Sequence, residues 1–293
     1  MHQTTTPQSV PPLSPERAAE RAERLRSNVE RALRGKPEVV RRAVETLIAG
    51  GHLLMEDIPG VGKTTLANAL ARSVDASFRR IQFTSDLLPG DILGASIPEM
   101  IDGRATGNFT FQPGPIFANV VLADEINRAS PKTQSALLEA MCEGNVTVEG
   151  QTHNLPEPFF VIATQNPVEH YGTNPLPESQ LDRFQKRLRI GYPAPDDEAA
   201  ILRDDPAVHE LPRLEPILSA ADTLGMRAAA ERIKFDDALI AYLLEIGAET
   251  REHEAIHLGV SPRGAVALRR SAQARALVDG RDYCIPEDVR DLA

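Results

Sequence analysis

The sequence predicts an α/β fold, a doubly wound parallel sheet with a second, smaller all-helical domain. Short apolar runs alternate with helical patterns between residues 50 and 190, which is typical of parallel strands covered on both faces. From Asp196 onward the chain is rich in Ala and Leu and contains no convincing strand. We therefore place a domain boundary near Pro193–Pro195, with a core over residues 15–193 and a helical domain over residues 194–293.

Two helices are predicted ahead of the sheet. Leu25, Val29 and Leu33 recur at helical spacing within Pro15–Arg34, and a second helix covers Pro37–Ala49 before Gly50-Gly51. Continuous apolar runs then predict five strands: His52–Met55, Arg80–Phe83, Val120–Ala123, Phe159–Ala163 and Leu188–Ile190.

Two more segments predict β-hairpins inserted into the core. They are Asn108–Phe111 and Val146–His153, the second turning at Glu149-Gly150. In the C-terminal region, Asp236–Gly247 and Arg263–Asp279 give the clearest helical patterns.

Composition narrows the class of protein. Residues 1–14 are rich in Thr, Pro and Gln and lack a basic and an apolar region, so we expect a disordered tail rather than a signal peptide. No apolar run reaches the length of a membrane span. Two cysteines do not form a disulfide framework, and a cytoplasmic protein is expected. The net charge of −10 argues against a primary role in nucleic-acid binding.

One segment carries a phosphate-binding signature. It matches G-x-x-x-x-G-K-[ST], except that Asp57 replaces the first Gly. A predicted strand precedes it and a predicted helix follows, so loop N–H groups and a helix N-terminus face bound phosphate. In such loops Lys63 reaches the β- and γ-phosphates and Thr64 binds Mg²⁺; a Gly-rich turn that binds nothing is the alternative. The candidate residues are Asp57, Ile58, Pro59, Gly60, Val61, Gly62, Lys63, Thr64 and Thr65.

A strand that ends in two acids is the second candidate site. The apolar run Val120–Ala123 leads directly into Asp124 and Glu125. The carboxyl ends of parallel strands share one edge of a sheet, so both acids are expected beside the phosphate loop. Asp124 would then hold Mg²⁺ through water, and Glu125 would orient and deprotonate the attacking water. Taken alone, this pattern also fits a solvated strand end.

Together these motifs resemble the P-loop core of an AAA+ ATPase, and the closer resemblance is to the MoxR family. The matching phrases run in family order from about Arg31 to the end, so the first 30 residues lie outside the match. The loop spelling with Asp57 also occurs in that family. Relatives usually continue with more helix, so the completeness of the helical lid at residue 293 stays open. The phrases are Phe83–Asp91, Gly114–Phe117, Asp124–Ala129, Ala163–Pro167, Leu176–Phe184 and Ser261–Arg263.

The resemblance implies roles for three further residues. Asn166 matches sensor 1, which contacts the γ-phosphate and the attacking water. Arg183 matches the arginine finger, which reaches the ATP of a neighbouring subunit, and Arg263 matches sensor 2, which contacts phosphate from the lid of the same subunit. The alternatives are a turn cap, a surface salt bridge and an ordinary first-turn arginine. Arg128 also suits a subunit interface, but its role is not assigned.

The implied cofactors are ATP and Mg²⁺, and the implied assembly is a ring, usually a hexamer. The implied function is ATP-driven remodelling or maturation of client proteins with von Willebrand factor A domain partners. A magnesium-chelatase-type motor subunit and a nucleotide-gated scaffold with little turnover are alternatives, although Glu125 and Arg183 argue against the scaffold. A GTPase is disfavoured because no Asn-Lys-x-Asp motif occurs, and a DNA helicase because the chain is acidic.

One further motif is interpreted as a coincidence. His253–His257 spells H-E-x-x-H, which in zinc proteases lies on one helix and is followed by a third ligand. Gly259 and Pro262 interrupt a helix almost at once, and no His follows His257. We therefore expect no zinc site here.

Overall fold

The structure is a computed structural model that describes residues 12–101, 104–167 and 172–293. The strands are β1 Leu53–Glu56, β2 Phe78–Gln82, β3 Gly94–Ile101, β4 Arg104–Pro113, β5 Val120–Asp124, β6 Asn145–Val148, β7 Gln151–Asn154, β8 Phe160–Gln165 and β9 Lys186–Leu188. The α-helices are α1 Pro15–Ala32, α2 Pro37–Ile48, α3 Lys63–Ser73, α4 Pro89–Leu93, α5 Pro131–Glu143, α6 Glu178–Leu181, α7 Pro195–Asp204, α8 Pro206–His209, α9 Ala220–Glu231, α10 Asp237–Glu252, α11 Pro262–Val278 and α12 Pro286–Arg290.

Five strands form one parallel sheet in the order β2-β5-β8-β1-β9. Side chains alternate between its two faces, as the pleat of a strand requires. On one face, Leu53 and Met55 of β1 join a core that includes α1, α2 and α3. On the other face, Leu54 joins a core that includes α5. The predicted doubly wound α/β class is therefore confirmed.

The C-terminal helices α9 to α12 complete the predicted all-helical part. Their buried side chains belong to the same apolar cluster as α1 and α2, with Leu277 of α11 and Leu25 of α1 both fully buried. The helical region therefore packs directly against the first two helices, and the boundary near Pro193–Pro195 stays a prediction. Among the described residues, no helix is both long enough and apolar enough to cross a bilayer.

Both predicted hairpins are present, one with different bounds. The second is formed by β6 and β7 and turns at Glu149 and Gly150, whose φ angles are 50° and 79°. The first is longer than predicted, because β3 and β4 extend well beyond Asn108–Phe111. The strand β3 escaped prediction because Gly94 and Pro98 interrupt its apolar pattern.

Strand β9 begins earlier than predicted and ends before Ile190. Its first residue, Lys186, looks like a surface residue in the sequence, yet the structure buries it against Glu45 of α2 with an Nζ–Oε2 distance of 2.6 Å. Burial lowers the pKa of Lys186, and the Glu45 carboxylate opposes that effect. A buried ion pair of this kind cannot be recognised from apolar periodicity.

The predicted tail at residues 1–14 lies largely outside the described residues, which begin at residue 12. Within the described part, the Leu13 N–H donates to the Gly225 carbonyl, and the Ser14 hydroxyl accepts from the Arg17 N–H as the N-cap of α1.

Candidate functional site

The predicted phosphate loop joins β1 to α3 at the carboxyl edge of the sheet. Gly60 and Gly62 have φ angles of 86° and 100°, a region that favours glycine. At Gly62 a Cβ would also lie 2.7 Å from Leu33 Cδ1, so a larger residue would meet α1 as well. The loop thus leads into the N-terminus of α3, which favours anions.

Lys63 lies across the loop. Its Nζ donates to the carbonyl oxygens of Asp57 and Ile58 at 2.8 and 3.1 Å. Burial lowers the pKa of Lys63, while the carboxylates of Asp124, Asp57 and Glu125 act in the opposite direction. The ammonium therefore bonds the loop carbonyls and lies close enough to the acids at the end of β5 to be attracted by them.

Asp57 has a different environment from the rest of the loop. Its Oδ2 accepts from the backbone N–H groups of Ile190 and Gly191 at 2.5 and 2.8 Å, and its Oδ1 accepts from the Ile58 N–H at 3.1 Å. The residue is buried. The departure from glycine in the motif therefore supplies a carboxylate that bonds backbone groups beyond β9.

Asp124 ends β5 beside the loop. Its Oδ1 accepts from the Thr164 hydroxyl at 2.6 Å, and its Oδ2 accepts from Arg80 Nη2 and Nε at 2.5 and 3.1 Å. Thr164 belongs to β8, the next strand of the sheet, and Arg80 to β2 on the other side. Both neighbours of β5 thus fix the orientation of this carboxylate.

Glu125 follows in a left-handed conformation, with φ of 57°. Its backbone N–H donates to the Thr164 hydroxyl at 2.9 Å. Its Oε2 accepts from Gln82 Nε2 at 2.8 Å and pairs with Arg128 Nε at 3.0 Å. An uncommon backbone geometry held by several partners is typical of functional positions. The ion pair also gives Arg128 a contact within its own chain.

Most of the predicted loop residues and both strand-end acids line one cavity of about 320 Å³, whereas Asp57, Ile58 and Val61 do not line it. It combines N–H groups and a lysine, which suit phosphate, with hydroxyl and carboxylate oxygens, which suit Mg²⁺. Thr64, Asp124 and Glu125 supply those oxygens, so the residues present fit a magnesium–phosphate ligand. The cavity is lined by Pro59, Gly60, Gly62, Lys63, Thr64, Thr65, Arg80, Gln82, Asp124, Glu125 and Asn166.

A second cavity of about 320 Å³ opens on the other side of the loop. One wall is the loop itself with Leu33 at the end of α1, and the other is the linker Tyr192-Pro193 with Ile201 and Leu202 of α7. The two cavities share Pro59, Gly60, Gly62 and Thr65. An apolar cavity that continues a phosphate site suits a nucleoside base, and we call it the base cavity.

The three residues assigned by resemblance lie in different places. Asn166, buried at the end of β8, lines the phosphate cavity. Arg183 follows α6, and its Nε is buried without a hydrogen-bond partner among the described residues. Arg263 is exposed in the first turn of α11. Neither arginine lines the phosphate cavity of its own chain. The roles of all three stay predictions.

Sequence reasoning missed four contributors to the site. Arg80 and Gln82 are polar residues at the carboxyl end of β2, and Thr164 lies in the phrase Ala163–Pro167. The strand order places β2 and β8 on either side of β5, but that order is not visible in the sequence. The fourth contributor is the base cavity, which is formed by chain segments more than 100 residues apart.

The H-E-x-x-H segment does not lie on one helix. Helix α10 ends at Glu252, and His253 is its C-cap residue, so the second His lies in the following loop. Over the described residues, no group of three or more His, Cys, Asp and Glu side chains is arranged to hold a metal ion.

Comparisons with known proteins agree with this geometry. A model described as "ATPase family associated with various cellular activities (AAA)" matches residues 52–186, and one described as "AAA lid domain" matches residues 248–293. The chain is 50% identical over 266 residues to the uncharacterized protein YeaC of Bacillus subtilis, covering 91% of this chain and 82% of that protein.

It is also 41% identical over 279 residues to "Chaperone MoxR1" of Mycobacterium tuberculosis, covering 92% of this chain and 72% of that protein. "Protein MoxR" of Methylorubrum extorquens is 32% identical over 296 residues, with 92% and 84% covered. A crystal structure of a candidate ATPase from Cytophaga hutchinsonii superposes with a TM-score of 0.86 at 38% identity, covering 95% of this chain and 86% of that chain.

Proposed function

Because this chain belongs to the MoxR family of AAA+ ATPases, we propose that it hydrolyses ATP to remodel or mature client proteins. The observation that carries the proposal is the phosphate cavity. It brings together the loop lysine, two strand-end carboxylates and the Asn166 amide, which are separated by up to about 100 residues in the sequence. A purely structural site has no need of this combination.

In this proposal the loop and Lys63 bind the β- and γ-phosphates. Thr64 and Asp124 hold Mg²⁺, which when bound neutralises charge that develops on the phosphate oxygens. Glu125 orients the attacking water and accepts its proton, with its carboxylate positioned by Gln82 and Arg128. Asn166 contacts the same water and the γ-phosphate.

Arg183 completes the site of a neighbouring subunit. It lies away from the phosphate cavity of its own chain, which fits a residue that acts in trans. An arginine finger in related phosphoryl transfers contributes about 10³–10⁵ in rate. We therefore propose a cytoplasmic ring, with a hexamer as the expected form. Arg263 lies in the lid and does not line the phosphate cavity, so contact with the phosphates of its own subunit would require movement of the lid.

The two hairpins are the proposed moving parts that act on the client. The two hairpins contact each other where Phe111 of β4 stacks on His153 of β7, with ring centroids 3.8 Å apart. Phe109 of β4 is 67% exposed and offers an apolar side chain to a partner. A von Willebrand factor A domain protein is the partner class that we propose from the family.

The test uses two variants of the phosphate cavity. Lys63→Ala removes the ammonium that faces the phosphates and should abolish ATP binding. Glu125→Gln keeps the shape of the side chain but removes its basicity, so ATP should bind while hydrolysis falls by about 10²-fold or more. Binding is measured by calorimetry and turnover by phosphate release.

Turnover at the wild-type rate in Glu125→Gln would assign the base to another residue. Wild-type protein that binds ATP tightly but releases no phosphate in the presence of a client would instead favour the nucleotide-gated scaffold. The Glu125→Gln protein loaded with ATP also serves to capture clients, since it stays in the ATP-bound state.

A further inference from the structure

The residue that departs from the phosphate-loop pattern connects the loop to the linker that follows β9. We propose that the Asp57 carboxylate is a positioning residue that holds the linker Ile190–Pro193 against the loop and so keeps the two walls of the base cavity together. This inference rests on the proposed ATP function, and it assigns a determinant of nucleotide affinity outside the phosphate contacts.

The position of Asp57 carries the argument. It lies two residues before the loop wall of the base cavity, which begins at Pro59, and its partners Ile190 and Gly191 directly precede the linker wall, which begins at Tyr192. One buried carboxylate therefore joins the two segments of the chain from which the two walls extend. Hydrogen bonds from N–H groups to an ionised carboxylate are about twice as strong as neutral ones.

Backbone pairing does not provide this connection. The parallel ladder between β1 and β9 ends at Met55 and Leu188. After these two residues, the segment from β1 continues into the phosphate loop and the segment from β9 continues into the linker. Where this ladder ends, the Asp57 side chain provides the connection between the two segments.

Other contacts hold the linker wall to a different element. Lys36 Nζ donates to the Tyr192 carbonyl at 2.7 Å, and Arg34 pairs with Asp204 at 2.5 Å. Both connect the wall to the region after α1 and are exposed to solvent, and a single exposed ion pair such as Arg34–Asp204 contributes little. The link that Asp57 makes to the phosphate loop is, by contrast, buried.

The residue at this position has no conformational need to be glycine. Among the described residues, Asp57 is not one of those with positive φ. Replacing Asp57 by Gly restores the usual motif without strain but removes the link. The motif alone therefore predicts that Asp57→Gly improves the phosphate loop, whereas our proposal predicts that this variant binds nucleotide more weakly.

Loss of the link should affect binding of the base and binding of the phosphates differently. Without it, the linker wall samples positions away from the loop, and the fraction of molecules with a formed base cavity falls. Apparent affinity falls by that same fraction for a ligand that uses both walls. Inorganic tripolyphosphate uses only the loop, so its affinity has no dependence on the position of the linker.

The experiment measures binding of ATP and of inorganic tripolyphosphate, each with Mg²⁺, to wild type, Asp57→Asn and Asp57→Gly. The asparagine variant keeps the size of the side chain, yet its amide cannot accept on both sides. We expect ATP affinity to fall on the order of tenfold in both variants, from the loss of charge-assisted hydrogen bonds, with tripolyphosphate affinity changed less than about twofold.

The matched control is Asp288→Asn. Asp288 is also a buried carboxylate that accepts a backbone N–H, from Ile285 at 2.9 Å, but it lies in α12 and lines neither cavity. This variant should lose stability and keep the wild-type ratio of the two affinities. The ratio is measured within one protein preparation, so it does not depend on the folded fraction.

Equal losses for both ligands would overturn the proposal, because Asp57 would then act on loop folding alone. Unchanged ATP affinity in both Asp57 variants would overturn it as well. Failure of the wild type to bind either ligand would instead overturn the proposed ATP function, so the two failures are distinguishable.

Discussion

At the scale of single residues, Thr164 joins the two acids of the site. Its hydroxyl donates to Asp124 Oδ1 and accepts from the Glu125 N–H, at 2.6 and 2.9 Å. The residue is fully buried, so water does not replace these partners. Thr164, on the strand next to β5, thus fixes the orientation of the Asp124 carboxylate proposed for Mg²⁺ and the left-handed backbone of Glu125, the proposed base.

Thr164→Val should therefore impair turnover without abolishing ATP binding. Valine has nearly the same shape but leaves a buried acceptor and a buried donor unpaired, at about 1–3 kcal/mol each. Misplaced acids should lower kcat by at least about tenfold, because such chemistry is sensitive to small displacements. Phosphate release and chemical denaturation measure the two effects.

The control for that prediction is Thr164→Ser, which retains the hydroxyl and loses only a methyl group. It should recover most of kcat. If serine and valine reduced kcat equally, the methyl packing of Thr164 would be responsible, and the hydrogen-bond account would be wrong.

Residue identities were predicted unevenly from the sequence. The acids of Asp124-Glu125 and the loop lysine could be found because each follows a strand at a recognisable spacing. Asp57 matched the motif position, but its partners lie about 130 residues away beyond β9, so the sequence offers no indication of which way the carboxylate faces. Thr164 and Gln82 were missed because their contacts depend on strand order.

At the scale of elements, His52 ties the start of β1 to two neighbours. Its Nδ1 accepts from the Val161 N–H of β8 at 3.0 Å, and its Nε2 lies 3.0 Å from the Met141 carbonyl of α5. Burial lowers the pKa of His52 to about 4, the Met141 carbonyl opposes this and the Arg227 charge adds to it. The ring is therefore neutral in the folded protein.

The free energy of unfolding should consequently decrease as pH falls. In the unfolded chain a histidine has a pKa near 6.5, so protons bind preferentially to the unfolded state below that value. The contribution of His52 is fully present above about pH 6.5 and is lost progressively as pH falls through about 4. Between about pH 7.5 and pH 5 we expect a loss of about 2 kcal/mol from this residue.

Urea denaturation of wild type and His52→Gln at both pH values tests this. Glutamine can donate to the Met141 carbonyl and accept from the Val161 N–H, yet it does not titrate. The pH dependence should be smaller in His52→Gln, while His253→Gln, at an exposed position, should behave as wild type. Identical slopes in wild type and His52→Gln would contradict the expectation.

Elements were predicted well where their burial follows from apolar content. Strands β1, β5 and β8 lie at the centre of the sheet and read as continuous apolar runs. The edge strand β2 begins two residues and ends one residue before its predicted bounds, and β9 begins and ends two residues before them. Both contain basic residues that pair with acids of other elements, Arg80 with Asp124 and Lys186 with Glu45, and apolar periodicity does not reveal such pairs. The short helix α4 was missed, since five residues give too few turns for a periodic pattern.

At the scale of the whole molecule, the segment that contains Arg183 is fastened to the lid. The Ser261 hydroxyl, which is the N-cap of α11, lies 2.8 Å from each oxygen of Asp182, the residue before the proposed finger. Gln185 Nε2 donates to the Ala267 carbonyl and the Ser271 hydroxyl at 3.1 and 2.9 Å. Movement of α11 would therefore displace Arg183, and under the proposed function this would link the lid of one subunit to the site of the next.

Mixing two inactive variants tests whether Arg183 acts between subunits. Arg183→Ala binds ATP but lacks the finger, whereas Lys63→Ala retains the finger but does not bind ATP. In a mixed ring, a site is complete when an Arg183→Ala subunit supplies the pocket and a Lys63→Ala neighbour supplies the arginine. With equal amounts and random assembly, half of the pockets meet half of the neighbours, so about one quarter of wild-type turnover is expected for a head-to-tail interface.

The control mixture is Lys63→Ala with Glu125→Gln. Both lesions lie in the same cavity of one chain, so no arrangement of neighbours completes a site, and turnover should stay at the level of the single variants. Recovery in the first mixture and none in the second would place the finger in trans. Absence of recovery at every mixing ratio would place Arg183 in its own subunit's chemistry or outside it, and the ring would then need another functional basis. The same titration reports cooperativity, because turnover that falls faster than the fraction of complete sites means that neighbouring subunits must act together.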